Sequence, residues 1–191
     1  MRYVALGDSY TIGTSVEAHE RFPDQLVARL GDRLELVANL GVNGYTSADL
    51  VRNELPGLAG LSPGFVTVLI GVNDVVQGVP LEVYEANAGR ILGAVLALVP
   101  PDHVVVVAVP DYTVTPAGGE YGDPSRQHDA IVAVNTTMAR LAAARGIPFV
   151  DIVDVSAGAA TDRGLVADDG LHPSGRQYAR WVELILPVVP G

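Results

Sequence analysis

Five short apolar runs, at residues 3–6, 34–39, 65–70, 104–109 and 148–150, alternate along the chain with longer segments of helical period. That alternation leaves few folds open, because strand-length runs joined through helices close most readily as parallel strands with helical crossovers. The runs are near-continuous in Val, Leu and Ile instead of alternating apolar with polar, as strands buried on both faces require. The fold class expected is α/β: a three-layer α/β/α sandwich with a central parallel five-stranded sheet, each run a central strand.

Residues 23–30 place Leu26, Val27 and Leu30 at helical spacing before Gly31. Residues 46–55 open on Thr46-Ser47-Ala48-Asp49, a sequence that can cap a helix, and end at Pro56. The segments 81–99 and 127–145 are longer, the second carrying Ile131, Val134, Met138, Leu141 and Ala142 on one face before an Arg145-Gly146 ending. A last helix is expected over 175–186. At 191 residues and 49% hydrophobic, the chain has the size and composition of one well-cored domain, and 1–191 is read as a single domain. Gly- and Pro-rich loops fall at 57–64, 110–124 and 157–169. The segment 110–124 exceeds an ordinary connection of about six residues and follows the fourth run, where open α/β sheets place their sites. It is expected to face substrate.

The absence of cysteine excludes disulfides, a thiolate nucleophile and a cysteine zinc site. All twelve cations are Arg, which excludes lysine Schiff-base and P-loop chemistry. A net charge of −10 argues against nucleic acid as a partner, since phosphate binding needs clustered cations. The longest apolar segments, 91–99 and 104–109, are split by Pro100-Pro101-Asp102-His103 and are too short for a membrane span. The N-terminal apolar stretch is too short for a signal-peptide core, so a cytoplasmic location is expected, or a secreted one if a leader has been removed. No His, Asp or Glu pair has a recognised metal-ligand spacing, so no metal is expected. Oligomeric state is not readable from the sequence.

Parallel strands would bring Gly7-Asp8-Ser9-Tyr10, residues 39–46, Gly71-Val72-Asn73-Asp74 and Pro110-Asp111 to one rim of the sheet. A serine hydroxyl needs a base to take its proton, and the acyl oxyanion then needs preorganised donors. Of the four histidines, His19 lies in a polar stretch, His103 in a turn at the far end of the fourth run and His128 at a helix start, all three expected to face solvent. Only His172 has an Asp three residues earlier, in Asp169-Gly170-Leu171-His172, followed by Pro173. The adjacent Asp168 competes with Asp169 as the carboxylate that would orient it. Asp8 and Asp74 are expected to hold backbone turns.

These segments resemble the blocks of the SGNH hydrolases, the GDSL branch of lipases and esterases. Gly7-Asp8-Ser9 is similar to the first block, Asn39 through Gly44 to Thr46 to the second, Gly71-Val72-Asn73-Asp74 to the third and Asp169-Gly170-Leu171-His172-Pro173 to the fifth. The blocks come in the family's order and span nearly the whole chain. Tyr10 stands where the family usually has Leu, and Gly41 and Gly44 both offer themselves for the second block, register favouring Gly44. The resemblance implies a flavodoxin-like SGNH hydrolase fold and a carboxylic ester hydrolase without cofactor. It implies Ser9 as nucleophile, His172 as base and Asp169 as its orienter, with an oxyanion hole of the Ser9 and Gly44 N–H groups and the Asn73 amide. Tyr10, Asp111 and Tyr112 are the candidate substrate-binding residues. The partner expected is a small-molecule acyl ester, with short acyl chains favoured because so small a chain has little material for a lid. Lysophospholipase, thioesterase or acyltransferase chemistry would use the same site, and a catalytically inert SGNH-like binding module is the remaining alternative. A flavodoxin-like nucleotide binder is disfavoured, since Asp8 puts a carboxylate where phosphate would sit.

Overall fold

The structure, a computed structural model, describes residues 1–191. The strands are β1 (Arg2–Gly7), β2 (Glu35–Asn39), β3 (Phe65–Leu69), β4 (Val104–Val107) and β5 (Phe149–Val150). They form one sheet in the order β2-β1-β3-β4-β5, with every pairing parallel. The five apolar runs are therefore the five strands, although only β1, β3 and β4 are central. β3 and β4 are buried at every residue, while β2, on the edge, is exposed at Glu35 and half-buried beyond it. β5, the other edge, forms only two residues of strand.

The helices are α1 (Ser9–Ile12), α2 (Phe22–Leu30), α3 (Ser47–Asp49), α4 (Leu55–Leu58), α5 (Val72–Val76), α6 (Leu81–Leu96), α7 (Pro124–Ala143), α8 (Val153–Ala157) and α9 (Gly175–Ile185). α2 packs on α9 and α6 on α7, forming the helical layers that cover the sheet. α7 begins earlier than its apolar period suggests, because Asp123 caps it by accepting from the Arg126 N–H and Pro124 fills the first turn, where no N–H is needed. The helix expected over 46–55 forms and runs on past Pro56, but it widens to a π-turn at Leu50–Glu54 between α3 and α4. π-turns of this kind often mark functional sites. This one carries Glu54 under the end of β1. No helix is long and apolar enough to cross a membrane.

A core of 42 buried residues lies between the layers. On the α2/α9 side it holds an aromatic cluster of Phe22, Tyr178, Trp181 and Tyr10, with Tyr178 and Trp181 packed edge to face at 5.0 Å. Buried polar tips are satisfied within it: the Trp181 indole donates to Ser156 Oγ at 3.0 Å and the Tyr178 hydroxyl to the Tyr10 carbonyl at 2.9 Å. The Tyr178 bond ties the last helix to the turn that bears Ser9.

The strand order reverses direction between β1 and β3. In open parallel sheets that switch point opens a crevice beyond the carboxyl ends of the strands. Ser9 follows β1 and Asn73 follows β3, so the two stand on either side of it.

Candidate active site

Asp8 follows β1 and caps α1, its side chain accepting from the Tyr10 N–H at 3.0 Å. Ser9 is thus the first residue of a helical turn, where backbone N–H groups have no partner within the helix. Behind this turn Glu54 accepts the Gly7 N–H at 3.0 Å. Asp8 and Glu54 are both buried, and one carboxylate oxygen of each is without a hydrogen-bond partner.

The segment after β2 is pinned to α1 by Asn39, whose side chain donates to the Thr11 carbonyl at 2.7 Å and accepts the Gly41 N–H at 3.1 Å. The structure separates the two candidate glycines. A side chain at Gly41 would come within 2.7 Å of the Ile12 nitrogen and 2.8 Å of the Asp8 oxygen, so close packing demands glycine there. Gly44 has open space beside it and a φ of +83°, so its requirement is conformational, at the lip of a turn. Its neighbour Asn43 lines the cleft beside Ser9.

After β3 the chain turns straight into α5. Asn73 donates one amide hydrogen to the Tyr45 carbonyl at 3.0 Å, leaving its second N–H uncommitted. Asp74, beneath it, accepts the Ser47 N–H at 2.8 Å and the Ser47 hydroxyl at 2.6 Å, locking α5 to α3. Asp8 and Asp74 therefore do the turn-holding work expected of them.

The C-terminal turn is shaped by an isolated bridge between Val166 and Pro173. Asp169 Oδ1 accepts the backbone N–H groups of Leu171 and His172 at 2.8 and 2.9 Å, and Oδ2 accepts His172 Nδ1 at 2.6 Å. Oδ2 also receives the Ser15 hydroxyl at 2.6 Å, a contact that no local spacing indicated. Burial alone would push Asp169 upward, but the bonds from Ser15, His172 and the two N–H groups outweigh it and hold the carboxyl at about 2, below its ordinary 3.8. The imidazole Nδ1 is thus bonded to Asp169 and not to its rival Asp168. With Nδ1 held by Asp169, the His172 imidazole has Nε2 free, and the ring packs against that of Tyr10 at 5.2 Å.

Ser9, Asn73 and His172 line one cleft together with Tyr10, Asn43, Val72, Val76, Tyr112, Tyr121 and Leu171, enclosing about 370 Å³ in part open to solvent. Tyr10 and Tyr112, named in advance, are both in its wall. Tyr121, Asn43, Val72, Val76 and Leu171 were not named as site residues; Asn43 and Val72 lie within the blocks at the sheet rim, Leu171 within that of Asp169 to His172 and Tyr121 within the 110–124 loop, while Val76 carried no signal.

Asp111 does not reach the cleft. Its oxygens are occupied by the Thr113 N–H and hydroxyl at 3.0 and 2.6 Å and by His128 at 2.6 Å. It anchors the 110–124 loop to α7, and its hydrogen bond raises the His128 imidazole above its ordinary value. His103 is likewise not free in solvent: its ring is half-buried and bonded to the Gly64 carbonyl at 2.6 Å. No group of three His, Asp or Glu side chains could hold a metal ion.

The two carboxylates behind Ser9 make stability depend on pH. Burial, the largest influence on each, raises Asp8 from 3.8 to about 7 and Glu54 from 4.5 to about 8. A raised carboxyl contributes stability that is whole below its unfolded value and is lost as pH climbs through the folded one. Asp169, depressed to about 2, acts oppositely and weakens the fold only as pH falls below its ordinary 3.8. Thermal melts should therefore show a Tm that declines from about pH 4 to about pH 8, the interval between the ordinary and the raised values of Asp8 and Glu54. Glu54→Gln can still accept the Gly7 N–H but cannot ionise, so its decline should be shallower. Parallel declines in the two proteins would contradict this account.

A profile of the GDSL-like lipase/acylhydrolase family matches residues 5–180. A search of curated proteins found no match. Among solved structures the fold is similar to that of a lipolytic G-D-S-L protein from Veillonella parvula DSM 2008, at 17% identity and a TM-score of 0.77, covering 98% of this chain and 97% of that one. A catalytic mutant of the acetylxylan esterase Axe2 from Geobacillus stearothermophilus is similar at 20% identity and a TM-score of 0.76, covering 98% of this chain and 93% of that one. The psychrotrophic esterase EstA from Pseudoalteromonas sp., inhibited by monoethylphosphonate, is similar at 16% identity and a TM-score of 0.73, covering 98% and 96%.

Proposed function

The chain belongs to the GDSL-like lipase/acylhydrolase family and is a carboxylic ester hydrolase, and on that premise we propose that it cleaves short-chain acyl esters through an acyl-enzyme on Ser9. The observation that carries this reading is the hydrogen-bonded Asp169–His172 pair on the same cleft as Ser9. Ser9 Oγ attacks the ester carbonyl carbon while its proton passes to His172 Nε2. The carbonyl oxygen becomes an oxyanion received by the Ser9 and Gly44 N–H groups and the uncommitted Asn73 N–H. Collapse expels the alcohol, which takes the proton from His172. Water, deprotonated by the same imidazole, then releases the carboxylic acid and restores Ser9. Asp169, held as a carboxylate, keeps Nδ1–H in place and stabilises the imidazolium.

Residues 1–191 act as one hydrolase domain, since all five strands share one sheet and most of the buried apolar residues one core. Preference for short acyl groups follows from the cleft wall, where Tyr10, Tyr112 and Tyr121 crowd the space beside Ser9. The structurally similar acetylxylan esterase acts on a two-carbon acyl group, in keeping with this reading. The test is a panel of p-nitrophenyl acetate, butyrate, octanoate and palmitate. kcat/KM should be highest for acetate or butyrate, and an optimum at octanoate or beyond would overturn the acyl preference.

A further inference from the structure

We propose that Ser15 is a positioning residue for the reaction, fixing the Asp169 carboxylate and with it the register between the nucleophile turn and the base turn. This inference rests on the assignment of Ser9, His172 and Asp169 made above. Asp169 accepts four hydrogen bonds, and three of them come from within its own turn, from Leu171 and His172. The fourth, from the Ser15 hydroxyl at 2.6 Å, reaches it from 154 residues away in sequence. Ser15 lies just beyond α1, which begins with Ser9 and closes at Gly13 through N–H bonds from Gly13 and Thr14 to the Ser9 carbonyl, both at 3.0 Å. The nucleophile turn and the acid–base turn are thus joined through side chains at Ser15 Oγ and Asp169 Oδ2.

The backbone supplies an independent argument. Ser15 has a φ of +66° and is one of only two non-glycine residues at positive φ in the chain. That conformation is unfavourable for an L-residue with a side chain and persists where surrounding structure enforces it. Gly13, two residues earlier, adopts the same region at φ +74° as glycine. Glycine at 15 would meet the conformational demand without strain, but it has no hydroxyl. Nor does burial force the contact, since Ser15 is exposed and water could satisfy it. What serine provides at this position and glycine does not is the donor to Asp169.

Chemically, the Ser15 proton draws negative charge from the oxygen that faces His172 Nδ1. Without it Oδ2 carries more charge, which favours a protonated ring before substrate is attacked, and the carboxylate rotates more freely, so Nδ1–H is held in the reacting geometry for less of the time. Near the pair stand the phenols of Tyr10, against the His172 ring, and Tyr178, with those of Tyr112 and Tyr121 on the same cleft; burial pushes Tyr10, Tyr178 and Tyr112 above their ordinary value, so they stay neutral.

The experiment compares Ser15→Ala, which loses the hydroxyl and keeps the backbone strain, with Ser15→Gly, which loses the hydroxyl and relieves it. On p-nitrophenyl acetate both should lower kcat about tenfold, the scale of one lost hydrogen bond to a charged group, with KM unchanged. The acid limb of the kcat profile should move to higher pH in both, while Tm rises for Ser15→Gly alone. A Ser15→Gly protein with wild-type kcat and an unmoved acid limb would overturn the proposal. Labelling by a fluorophosphonate separates this failure from failure of the triad. Wild-type protein unlabelled at Ser9 removes the triad and the Ser15 role together, whereas wild type and variants labelled at equal rates remove only the role of Ser15.

Discussion

Replacing Ser9 with alanine is expected to lower kcat on p-nitrophenyl acetate by about a million-fold, the loss seen when a serine hydrolase gives up its nucleophile. The size of the effect follows from how the turn is built. Asp8, not Ser9, caps α1 and holds the geometry of the strand-to-helix turn. Removing the Ser9 hydroxyl therefore deletes the attacking atom and leaves the scaffold intact, so Tm should stay close to that of wild type. The oxyanion donors and the cleft persist, and what activity is left should come from them, with water as the nucleophile. A fluorophosphonate should label wild type and leave Ser9→Ala untouched. Turnover by Ser9→Ala within tenfold of wild type, measured on protein with wild-type Tm, would end the acyl-enzyme mechanism.

Loss of the imidazole should cost nearly as much, and its signature should differ. In His172→Ala the nucleophile is present but keeps its proton, since the turn offers no other base: Asp169, at about 2, is far too weakly basic to replace His172. Turnover should fall by about a million-fold, yet Ser9 should still react with a fluorophosphonate, slowly, to one label per chain. The wild-type acid limb, which reports the imidazole, should vanish, and the residual rate should climb with hydroxide. His172 is buried against the Tyr10 ring, so the substitution also opens a small void, and some loss of Tm is expected. A His172→Ala protein that keeps the wild-type acid limb would assign the base elsewhere, with His128 on Asp111 as the next pair to examine.

The parts of this molecule that sequence made legible are those written in short, local patterns. Asp169 and His172 meet because three residues of one turn bring them together, and Ser9 and Asn73 were placed by the strands that precede them. The strands themselves were readable because burial on both faces leaves an unbroken apolar run. Edge position was not, since it depends on the order in which strands associate, and the run at 34–39 ends at the margin of the sheet with partly exposed side chains. Pairings between distant polar groups were equally hidden. Asp111 looked available because it follows β4 in a loop, but its oxygens are claimed by Thr113 and by His128 on α7. Ser15 belongs to no motif, and only the folded chain brings it to Asp169. The π-turn at Leu50–Glu54 has no periodic signature either, because a single widened turn does not alter the spacing of apolar residues enough to register.

The loop over residues 110–124 is anchored at Asp111 to His128 and by the Ala117 N–H to the Gly170 carbonyl at 3.0 Å, and between and beyond those anchors it contributes Tyr112 and Tyr121 to the cleft wall. None of the groups proposed to react comes from it. If the proposed acyl preference is set by that wall, selection can work on the two halves of the enzyme separately: the stretch between the anchors can drift in length and side chains while the groups proposed to react are inherited unchanged. The same boundary marks where a designer would graft.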